Sequence, residues 1–508
     1  MRTGMNDSAS GGEGAAGPRG TERAGGTPGA RGSRGAKRPG GGETRPGTIL
    51  GVLAAGAAAY SVLQAIVAPA LPELAERLDV SSTDVSWVLT ALLLSASVLT
   101  PVIGRLGDLY GKQRLLVASL AVMTVGTLVS ALATDLGTML AGRILQGAGA
   151  GVFPLAFAIV RDELPAKKVP NAIGMLSAML GIGSVAGLVV SGVIVEHLSY
   201  HWLFWLPLVL CVAATAATAR LVPESPVHAE GTVAWGGALL LAAGLVVLLL
   251  GVTQGERWGW GSAANVGAIA GGVVLLILWT AVERRSSKPL VDMRVLARRG
   301  VWTVNAVTLA VGFGMLAGMA VLPLLLQLPT QTGYGFGKSV MGASLCMIPA
   351  GIGILAGGIA AGGAQERLGT KPVALSGLAI IGAAYAYLAL RHHTTVDVLG
   401  AAAVQGIGVG VAFSALGRLA VESVPQAQTG AATAINTIMR TVGAAFGSSI
   451  PAAILAAHLT AQGIADEGAF TTVFWTTAAV ALAGLIVGTA IPSGRRADDP
   501  ALAFAAEA

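Results

Sequence analysis

Apolar runs of about 20 residues recur along the chain from residue 49 to residue 492. At a rise of about 1.5 Å per residue, each run forms a helix long enough to cross a hydrocarbon core of about 30 Å. Of the 508 residues, 54% are hydrophobic and 11% are charged, whereas soluble domains carry about 25% charged residues. The sequence therefore predicts an all-α protein that crosses a membrane many times, and it argues against a soluble enzyme.

The runs define fourteen predicted helices in groups of six, two and six. The first six are predicted over residues 49–71, 84–104, 113–134, 137–161, 170–195 and 202–221. The next two are predicted over residues 232–252 and 263–282. The last six are predicted over residues 302–326, 338–361, 371–390, 396–417, 428–457 and 470–492.

These spans divide the chain into five segments. Residues 1–47 are rich in Gly, Arg, Pro and Ser and cannot bury much apolar surface, so we expect a disordered cytoplasmic tail. Six-helix halves are predicted over residues 48–222 and 301–493. Between them, residues 223–300 hold two extra transmembrane helices and a cytoplasmic linker. Residues 494–508 form a second cytoplasmic tail.

Lys and Arg are distributed unevenly between alternate connections. With both termini in the cytoplasm, 26 of the 32 basic residues fall in cytoplasmic segments, four fall in outer loops and two lie within helices. Because translocation disfavours basic residues in short outer loops, this asymmetry predicts a multi-pass protein of the cell membrane with cytoplasmic termini. It also accounts for the net charge of +6 without a nucleic-acid partner.

Two short motifs occur once in each half of the chain. GRLGDLYG at 104–111 is matched by GGAQERLG at 362–369, an offset of 258 residues. QGAGAG at 146–151 is matched by QGIGVG at 405–410, an offset of 259 residues. The halves are therefore predicted to be repeats, which in alternating-access transporters enclose a substrate site near the middle of the membrane.

The same motifs are similar to the signatures of a known family. GRLGDLYGKQR (104–114) resembles the loop signature of the major facilitator superfamily, and LAGRILQGAGAG (140–151) resembles its helix 4 signature. With fourteen predicted helices, the chain resembles the drug:proton antiporters of that superfamily. The resemblance covers roughly residues 49–492 and implies the major facilitator fold, with two six-helix halves and two extra helices.

The loop signature implies a gating latch. Gly104 and Gly111 allow close helix packing, and Asp108 can face the positive N-terminus of a neighbouring helix. Glu366 is the counterpart of Asp108 in the second half. A hydrated charged loop without a gating role is the alternative interpretation.

Lys112 lies one turn beyond Asp108. The resemblance supports a pair between Lys112 and Asp162 or Glu163 at the end of predicted helix 4, in a site dry enough for the pair to matter. A solvated lysine is the alternative.

Two arginines lie within predicted helices. A charge inside the membrane is costly unless it faces a cavity or a partner, so Arg143 and Gln146 are predicted to face the translocation path. For Arg143, snorkelling to the outer surface is the alternative. Arg440 lies nearer the inner side, and it is a candidate for the same path or for a cytoplasmic snorkel.

The helix 5 signature of the antiporters, G-x-x-x-G-P-x-x-G-G, is matched only in part. The chain has Leu188 in place of the proline and Ser191 in place of a glycine, so the bend that a proline favours is weaker or absent. It keeps the three glycines of the expected hinge, Gly183, Gly187 and Gly192.

Helix 1 also departs from the family pattern, because Leu63 stands where the family carries an acid. The acids close to the predicted helices lie at helix ends or in loops: Asp84, Asp108, Asp162, Glu196 and Asp397. Proton antiport is thus implied by the resemblance alone, with Asp108, Asp162 or Glu196 as the expected carrier.

The embedded charges are both positive, which favours neutral or anionic amphiphilic substrates over cations. Isolated polar or indole groups on apolar helices can orient such a ligand, and the candidates besides Gln146 are Gln64, Trp87 and Gln327. Hydrogen bonding between helices, or interfacial packing in the case of Trp87, is the alternative role.

Neither a cofactor nor a metal is predicted. GYGFGKS (333–339) lacks the first glycine of a phosphate-binding loop, because the chain has Thr332 there, so no nucleotide partner is expected. His392 and His393 with Asp397 could bind a metal, although an ordinary solvated loop is favoured. The chain's two cysteines fall in apolar runs and are expected to be inert.

We therefore predict a secondary active transporter that exports drugs or amphiphilic natural products by proton antiport. Its partners would be a small-molecule substrate, protons and membrane lipid. The alternatives are an importer or facilitator of a small nutrient and a membrane receptor that does not transport.

Overall fold

The computed structural model describes residues 46–492 apart from 166, 226–233, 287–288, 290, 425–427 and 461–462. The predicted tail over residues 1–47 lies outside the described residues except for Pro46 and Gly47, which begin the first helix. The predicted tail over residues 494–508 lies outside them altogether.

Fourteen helices of the described chain are long and apolar enough to cross a membrane, which confirms the predicted number. The first seven are α1 (Pro46–Ala70), α2 (Trp87–Tyr110), α3 (Lys112–Ala131), α4 (Leu136–Glu163), α5 (Val169–His197), α6 (Trp202–Leu221) and α7 (Trp235–Thr253). The others are α8 (Ala263–Arg285), α9 (Arg299–Gln327), α10 (Val340–Leu368), α11 (Thr370–Leu390), α12 (Thr395–Glu422), α13 (Thr429–Ala457) and α14 (Glu467–Thr489). The chain is a multi-pass membrane protein.

The two copies of the glycine motif end their helices in the same way. α2 continues six residues beyond its predicted end and stops at Gly111, whose φ is +113°. α10 continues seven residues beyond its predicted end and stops at Gly369, whose φ is +87°. Both glycines take a backbone conformation that other residues resist, and they are 258 residues apart. The polar motif residues had been expected in a loop, but they form the last turns of the helices.

We call the end of the bundle that contains Gly111 the Gly111 end, and the opposite end the Asp135 end, after the N-cap of α4. α2 of the first half packs against α13 of the second, and α5 packs against α10 and α12. Helices of the two halves therefore pack directly on each other.

Within the second half, glycines bring α10 and α12 into backbone contact. A Cβ atom added at Gly357 would overlap the carbonyl oxygen of Ile407, and one added at Gly410 would overlap that of Ile354. In lipid, where apolar surface gives little drive for association, such close packing holds helices together.

The extra helix α7 packs on α2 of the first half and α13 of the second, and α8 packs on α7. Leu241, Leu245 and Leu249 of α7 share an apolar cluster with Ile435 and Ile438 of α13. α8 carries exposed apolar residues such as Val274 and Ile277, which suit contact with lipid. α7 therefore covers α13 without separating the halves, and α8 lies outside α7.

We predict that Gly357→Ala lowers the free energy of unfolding by about 1–3 kcal/mol, because the added methyl group forces α10 away from α12. Thermal unfolding of the purified protein in detergent measures the change. Gly363→Ala is the matched control on the same helix, because nothing lies within 4 Å of its added Cβ. Its expected effect is a gain of under about 1 kcal/mol. Equal losses in both variants would contradict the packing argument.

Candidate functional site

The carboxylate of Asp108 joins the two halves at the Gly111 end. Asp108 is fully buried on the last turn of α2. Its oxygens accept hydrogen bonds from the backbone N–H groups of Gly430 at 3.1 Å and Ala431 at 2.9 Å. These are among the unpaired donors at the start of α13, where the helix dipole is positive. An acid of the first half thus caps a helix of the second half.

Glycines make this contact possible. A Cβ atom at Gly104 would lie 2.7 Å from the carbonyl oxygen of Gly430 and 2.9 Å from Cβ of Ala434. One at Gly430 would lie 2.6 Å from Oδ1 of Asp108. Both positions exclude larger residues while the halves are in contact.

Beside the cap lies a buried ion pair. Nζ of Lys112 contacts Oδ2 of Asp162, and neither side chain is exposed. The hydroxyl of Ser225 donates to the same carboxylate oxygen. The pair ties the start of α3 to the end of α4 and to the segment after α6. Of the two acids considered for Lys112, the structure therefore selects Asp162.

Glu224 is a member of this site that the sequence analysis missed. Its carboxylate accepts from the N–H groups of Gln113 at 3.2 Å and Arg114 at 3.3 Å, and so caps α3. It also lies against Gly111, where an added Cβ would be 2.8 Å from its oxygens. Its position straight after predicted helix 6 gave no sign of this contact.

Arg161 was missed as well, although it is a second contact between the halves. Its guanidinium donates to the carbonyl oxygens of Val421 at 2.8 Å and Val424 at 3.1 Å, and to Oγ1 of Thr429 at 2.6 Å. The side chain on α4 thus caps the C-terminus of α12, where cations are favoured. The available signal was an arginine in the last turn of a predicted helix, beside the acids Asp162 and Glu163.

Glu366 does not repeat the arrangement of Asp108. It is exposed on α10. Instead, Gln365 is buried and donates to the hydroxyl of Ser414 at 3.0 Å, within its own half. The expectation of a second latch at Glu366 is therefore corrected: this residue makes no contact like that of Asp108 in the described structure. One physical reason is that α5, the partner of α10, begins with Val169–Pro170, and proline has no N–H to donate to a carboxylate.

A small cavity lies between the halves at the middle of the helices. It is lined from the first half by Tyr60, Gln64, Leu93, Ala150 and Leu180, and from the second by Met315, Leu316, Thr437, Arg440, Thr441, Ala444, Ala445 and Ser448. Its volume is about 60 Å³, whereas sites for drug-sized ligands measure about 300–1,000 Å³. The described conformation is closed at the Gly111 end and nearly closed at its centre.

Arg440 is the charged residue of this cavity. Its guanidinium carbon lies 5.3 Å from the ring centre of Phe153 and 5.6 Å from that of Phe413, within the range of cation–π attraction. No carboxylate among the described residues forms a salt bridge with it. Arg440 thus faces the central cavity and not the membrane surface.

Arg143 and Gln146 are placed differently from what was expected. Both are fully buried inside the first half. The guanidinium of Arg143 donates to the carbonyl oxygens of Val88 at 3.0 Å and Leu63 at 3.3 Å, and to Oε1 of Gln146 at 2.8 Å. It therefore ties α4 to α1 and α2, and neither side chain lines the central cavity. Helix carbonyls supply the partners, so snorkelling is unnecessary.

Two of the proposed lining residues also lie elsewhere. Trp87 begins α2 at the Asp135 end. Gln327 ends α9, is exposed, and donates to the carbonyl oxygen of Pro323 at 3.0 Å. The central cavity lies at the middle of the helices, so neither Trp87 nor Gln327 lines it. Of the predicted polar set, Gln64 lines it.

The helix 5 glycines serve helix packing. A Cβ at Gly183 would lie 3.0 Å from the carbonyl oxygen of Ala58, and one at Gly187 would lie 2.7 Å from that of Val62, both on α1. Gly192 faces α10, with Met341 at 3.4 Å from its added Cβ. α5 itself is one uninterrupted helix of 29 residues.

The fold and these contacts define a multi-pass membrane protein made of two related six-helix halves and two extra helices. The family profile described as Major Facilitator Superfamily matches residues 53–448 and 350–506, so the chain belongs to this superfamily. Its members are transporters.

Three known proteins illustrate the relationship. An MFS-type transporter of Mycobacterium tuberculosis is 30% identical over 72% of this chain and 52% of its own length, so this chain spans about half of that relative. Multidrug resistance protein 3 of Bacillus subtilis is 25% identical over 77% of this chain and 75% of its own length. The structure of the human organic anion transporter MFSD10 has a TM-score of 0.64 at 16% identity, with 87% of this chain and 99% of that one covered, and shows the shared fold.

We predict that Asp108→Asn lowers transport by about tenfold or more, because the amide loses the charge that two backbone donors of α13 stabilise. Uptake into proteoliposomes at equal protein content measures the change. Glu366→Gln is the matched control, and its transport should stay near that of the parent. Equal transport by the parent and both variants would show that Asp108 has no gating role.

We also predict that Lys112→Met destabilises the protein by about 3–5 kcal/mol, because it leaves a buried carboxylate without its cation. Adding Asp162→Asn should recover more than half of the loss. Unfolding in detergent gives both values. Glu73→Gln, which breaks an exposed pair with Arg77, should cost under about 1 kcal/mol. A loss from Lys112→Met as small as that from Glu73→Gln would show that the pair is solvated.

Proposed function

We propose that the protein is a secondary active transporter that exports drugs or amphiphilic natural products across the cell membrane by alternating access. The observation that carries the proposal is the pair of capping contacts between the halves, by Asp108 and Arg161, together with a central cavity lined by both halves. The name of the Bacillus subtilis relative, a multidrug resistance protein, supports export.

Opening of the Gly111 end must break these contacts. The α13 N–H groups would lose the carboxylate of Asp108, and the α12 carbonyls would lose the guanidinium of Arg161. Each group would then need water as a partner, which becomes available only once the end has opened. The contacts therefore favour two states, closed or hydrated, over an intermediate. Such bistability is what alternating access requires.

The Gly111 end is proposed to face the cytoplasm. Under this orientation both termini are cytoplasmic, and most Lys and Arg residues lie on the inner side. The closed contacts then correspond to an outward-facing or occluded stage of the cycle.

The substrate class is proposed from Arg440. A guanidinium between two aromatic rings, without a carboxylate partner among the described residues, attracts an anionic group and repels a cation. Apolar neighbours such as Leu93, Leu180 and Met315 suit an apolar body. We therefore propose neutral or anionic amphiphiles, which would enter once the cavity has widened.

Proton antiport is proposed to act through Asp108. Protonation would remove the negative charge that caps α13 and so weaken the closed contact. Of the other two carriers considered, Asp162 is engaged by Lys112 and Glu196 is exposed. Asp108 is thus buried and lies at the contact between the halves that has to open during transport.

For the orientation, we predict that a cysteine at position 285 is labelled only from the cytoplasm and one at position 257 only from outside. Both native residues are exposed arginines, at opposite ends of the bundle. The variants are made in a background without Cys211 and Cys346, and a membrane-impermeant maleimide is applied to intact cells and to inverted vesicles. Labelling of position 285 in intact cells would reverse the proposed topology.

For the function, we predict uphill movement of amphiphilic dyes into inverted vesicles that stops when an uncoupler collapses the proton gradient at constant sodium. Uphill movement that continues unchanged would exclude proton antiport. Movement down a gradient only, in either direction, would favour a facilitator.

A dye panel of matched size and different charge tests the substrate class. Arg440→Gln should reduce transport of anionic dyes more than that of neutral ones. The control is Arg257→Gln, an exposed arginine in the connection between the extra helices. Arg143→Gln is unsuitable as a control, because it removes buried hydrogen bonds inside the first half.

A further inference from the structure

Three side chains with electron-pair donors meet at the Asp135 end of the second half. His392 and His393 lie in the connection between α11 and α12, and Glu467 is the first residue of α14. We call these three residues the histidine cluster. Their nearest ligand-type atoms all lie within 4.8 Å of one another. The cluster lies at the ends of these helices, away from the central cavity, and plays no part in the proposed transport step.

His392 is held in the orientation that a metal ligand needs. Its Nδ1 donates to the carbonyl oxygen of Leu388 at 2.7 Å, so in the neutral ring the lone pair is on Nε2. The residue is only 3% exposed, and the edge of its ring packs on Phe474. Nε2 is buried and has no hydrogen-bond partner in the described structure. A backbone carbonyl on one nitrogen with the other left open is the usual arrangement of metal-binding histidines.

The open nitrogen faces the carboxylate of Glu467. Nε2 of His392 lies 3.4 Å from Oε1 of Glu467, and Nδ1 of His393 lies 3.5 Å from the same oxygen. Ligand atoms at about 2.0–2.1 Å from a tetrahedral zinc ion are about 3.3–3.4 Å apart, so both distances fit ligands of one ion. An imidazole nitrogen lone pair and a carboxylate oxygen that face each other repel unless a proton or a metal cation lies between them.

Asp397, considered with these histidines from the sequence, is committed elsewhere. Its carboxylate accepts from the Tyr387 hydroxyl at 2.7 Å and from the N–H and hydroxyl of Thr394, which caps α12. Glu467 replaces it as the acid of the cluster, and the sequence distance between Glu467 and the histidines hid this partner.

The surroundings favour a cation. Burial raises the pKa of the Tyr334 phenol, and the negative charges of Asp466 and Glu467 raise it further. Asp466 itself caps α14 through the N–H of Ala469 at 2.6 Å. The start of α14 therefore carries two adjacent carboxylates, and that of Glu467 faces the histidines.

We propose that the histidine cluster binds one divalent transition-metal ion of the zinc class, through Nε2 of His392, Nδ1 of His393 and a carboxylate oxygen of Glu467. Two imidazoles and one carboxylate suit zinc, whereas calcium and magnesium prefer oxygen ligands alone. Water fills the fourth position. The ion joins the α11–α12 connection to the start of α14 and so fixes these helices at the Asp135 end.

The probe is Co²⁺ added to the purified full-length protein in detergent, after removal of any histidine tag and of bound metal by a chelator. The parent should bind one equivalent and develop visible d–d absorption of a four- or five-coordinate ion, which zinc then displaces. His392→Gln and Glu467→Gln should each weaken binding by about 100-fold or more, because loss of an outer-shell partner alone costs about 10- to 100-fold. His458→Gln, an exposed histidine in the connection before α14, should leave binding unchanged.

Folding is checked separately from binding. Without metal, His392→Gln and Glu467→Gln should unfold close to the parent's temperature, and zinc should raise that temperature in the parent and in His458→Gln only. Absence of the cobalt spectrum in the parent, or equal binding in all variants, would overturn the proposal. Stability that depends on pH without any cobalt spectrum would also overturn it, because the histidines would then hold protons and not a metal.

Discussion

The carboxylate of Asp108, buried against the first N–H groups of α13, is the contact on which the closed arrangement of the halves depends. A buried charge is tolerable only with partners, and Asp108 finds them on a helix of the other half. Gly104 and Gly430 must lack side chains for that approach, and Gly111 must adopt a positive φ to end α2 just beyond it. The neighbouring pair of Lys112 and Asp162 fixes the start of α3 and hence this turn. One interaction thus explains why several residues of the motif are what they are.

The two halves repeat the glycine that ends the second helix of each half, but not the charge beside it. Gly111 and Gly369 end equivalent helices, yet Asp108 is buried on the partner half while Glu366 is exposed. The second contact between the halves comes instead from Arg161, which caps α12. Both contacts start from the first half and end on the second, and both satisfy helix termini. Contacts of this kind depend strongly on geometry, because a capping group displaced by a few ångströms no longer forms its hydrogen bond.

Periodic features of the sequence predicted the fold, and local motifs predicted part of the site. The fourteen apolar runs were sufficient for the helix number, because lipid requires long apolar helices whatever the tertiary arrangement. The contact of Asp108 with a helix terminus followed from charge and glycine spacing. Arg161 and Glu224 were missed, since most of their partners are backbone carbonyl and N–H groups, which carry no sequence signal. Arg143 was misplaced, because a buried arginine can be satisfied by helix carbonyls as well as by a cavity.

A distance measured across the Gly111 end shows whether Asp108 holds the two halves together there. Spin labels at positions 110 and 368 report it by electron–electron double resonance, since Tyr110 and Leu368 are 57% and 68% exposed on opposite halves. If Asp108 has this role, the parent and Glu366→Gln give one short, narrow distance distribution, and Asp108→Asn gives an added population at longer distance. A distribution for Asp108→Asn that matches the parent would contradict this role.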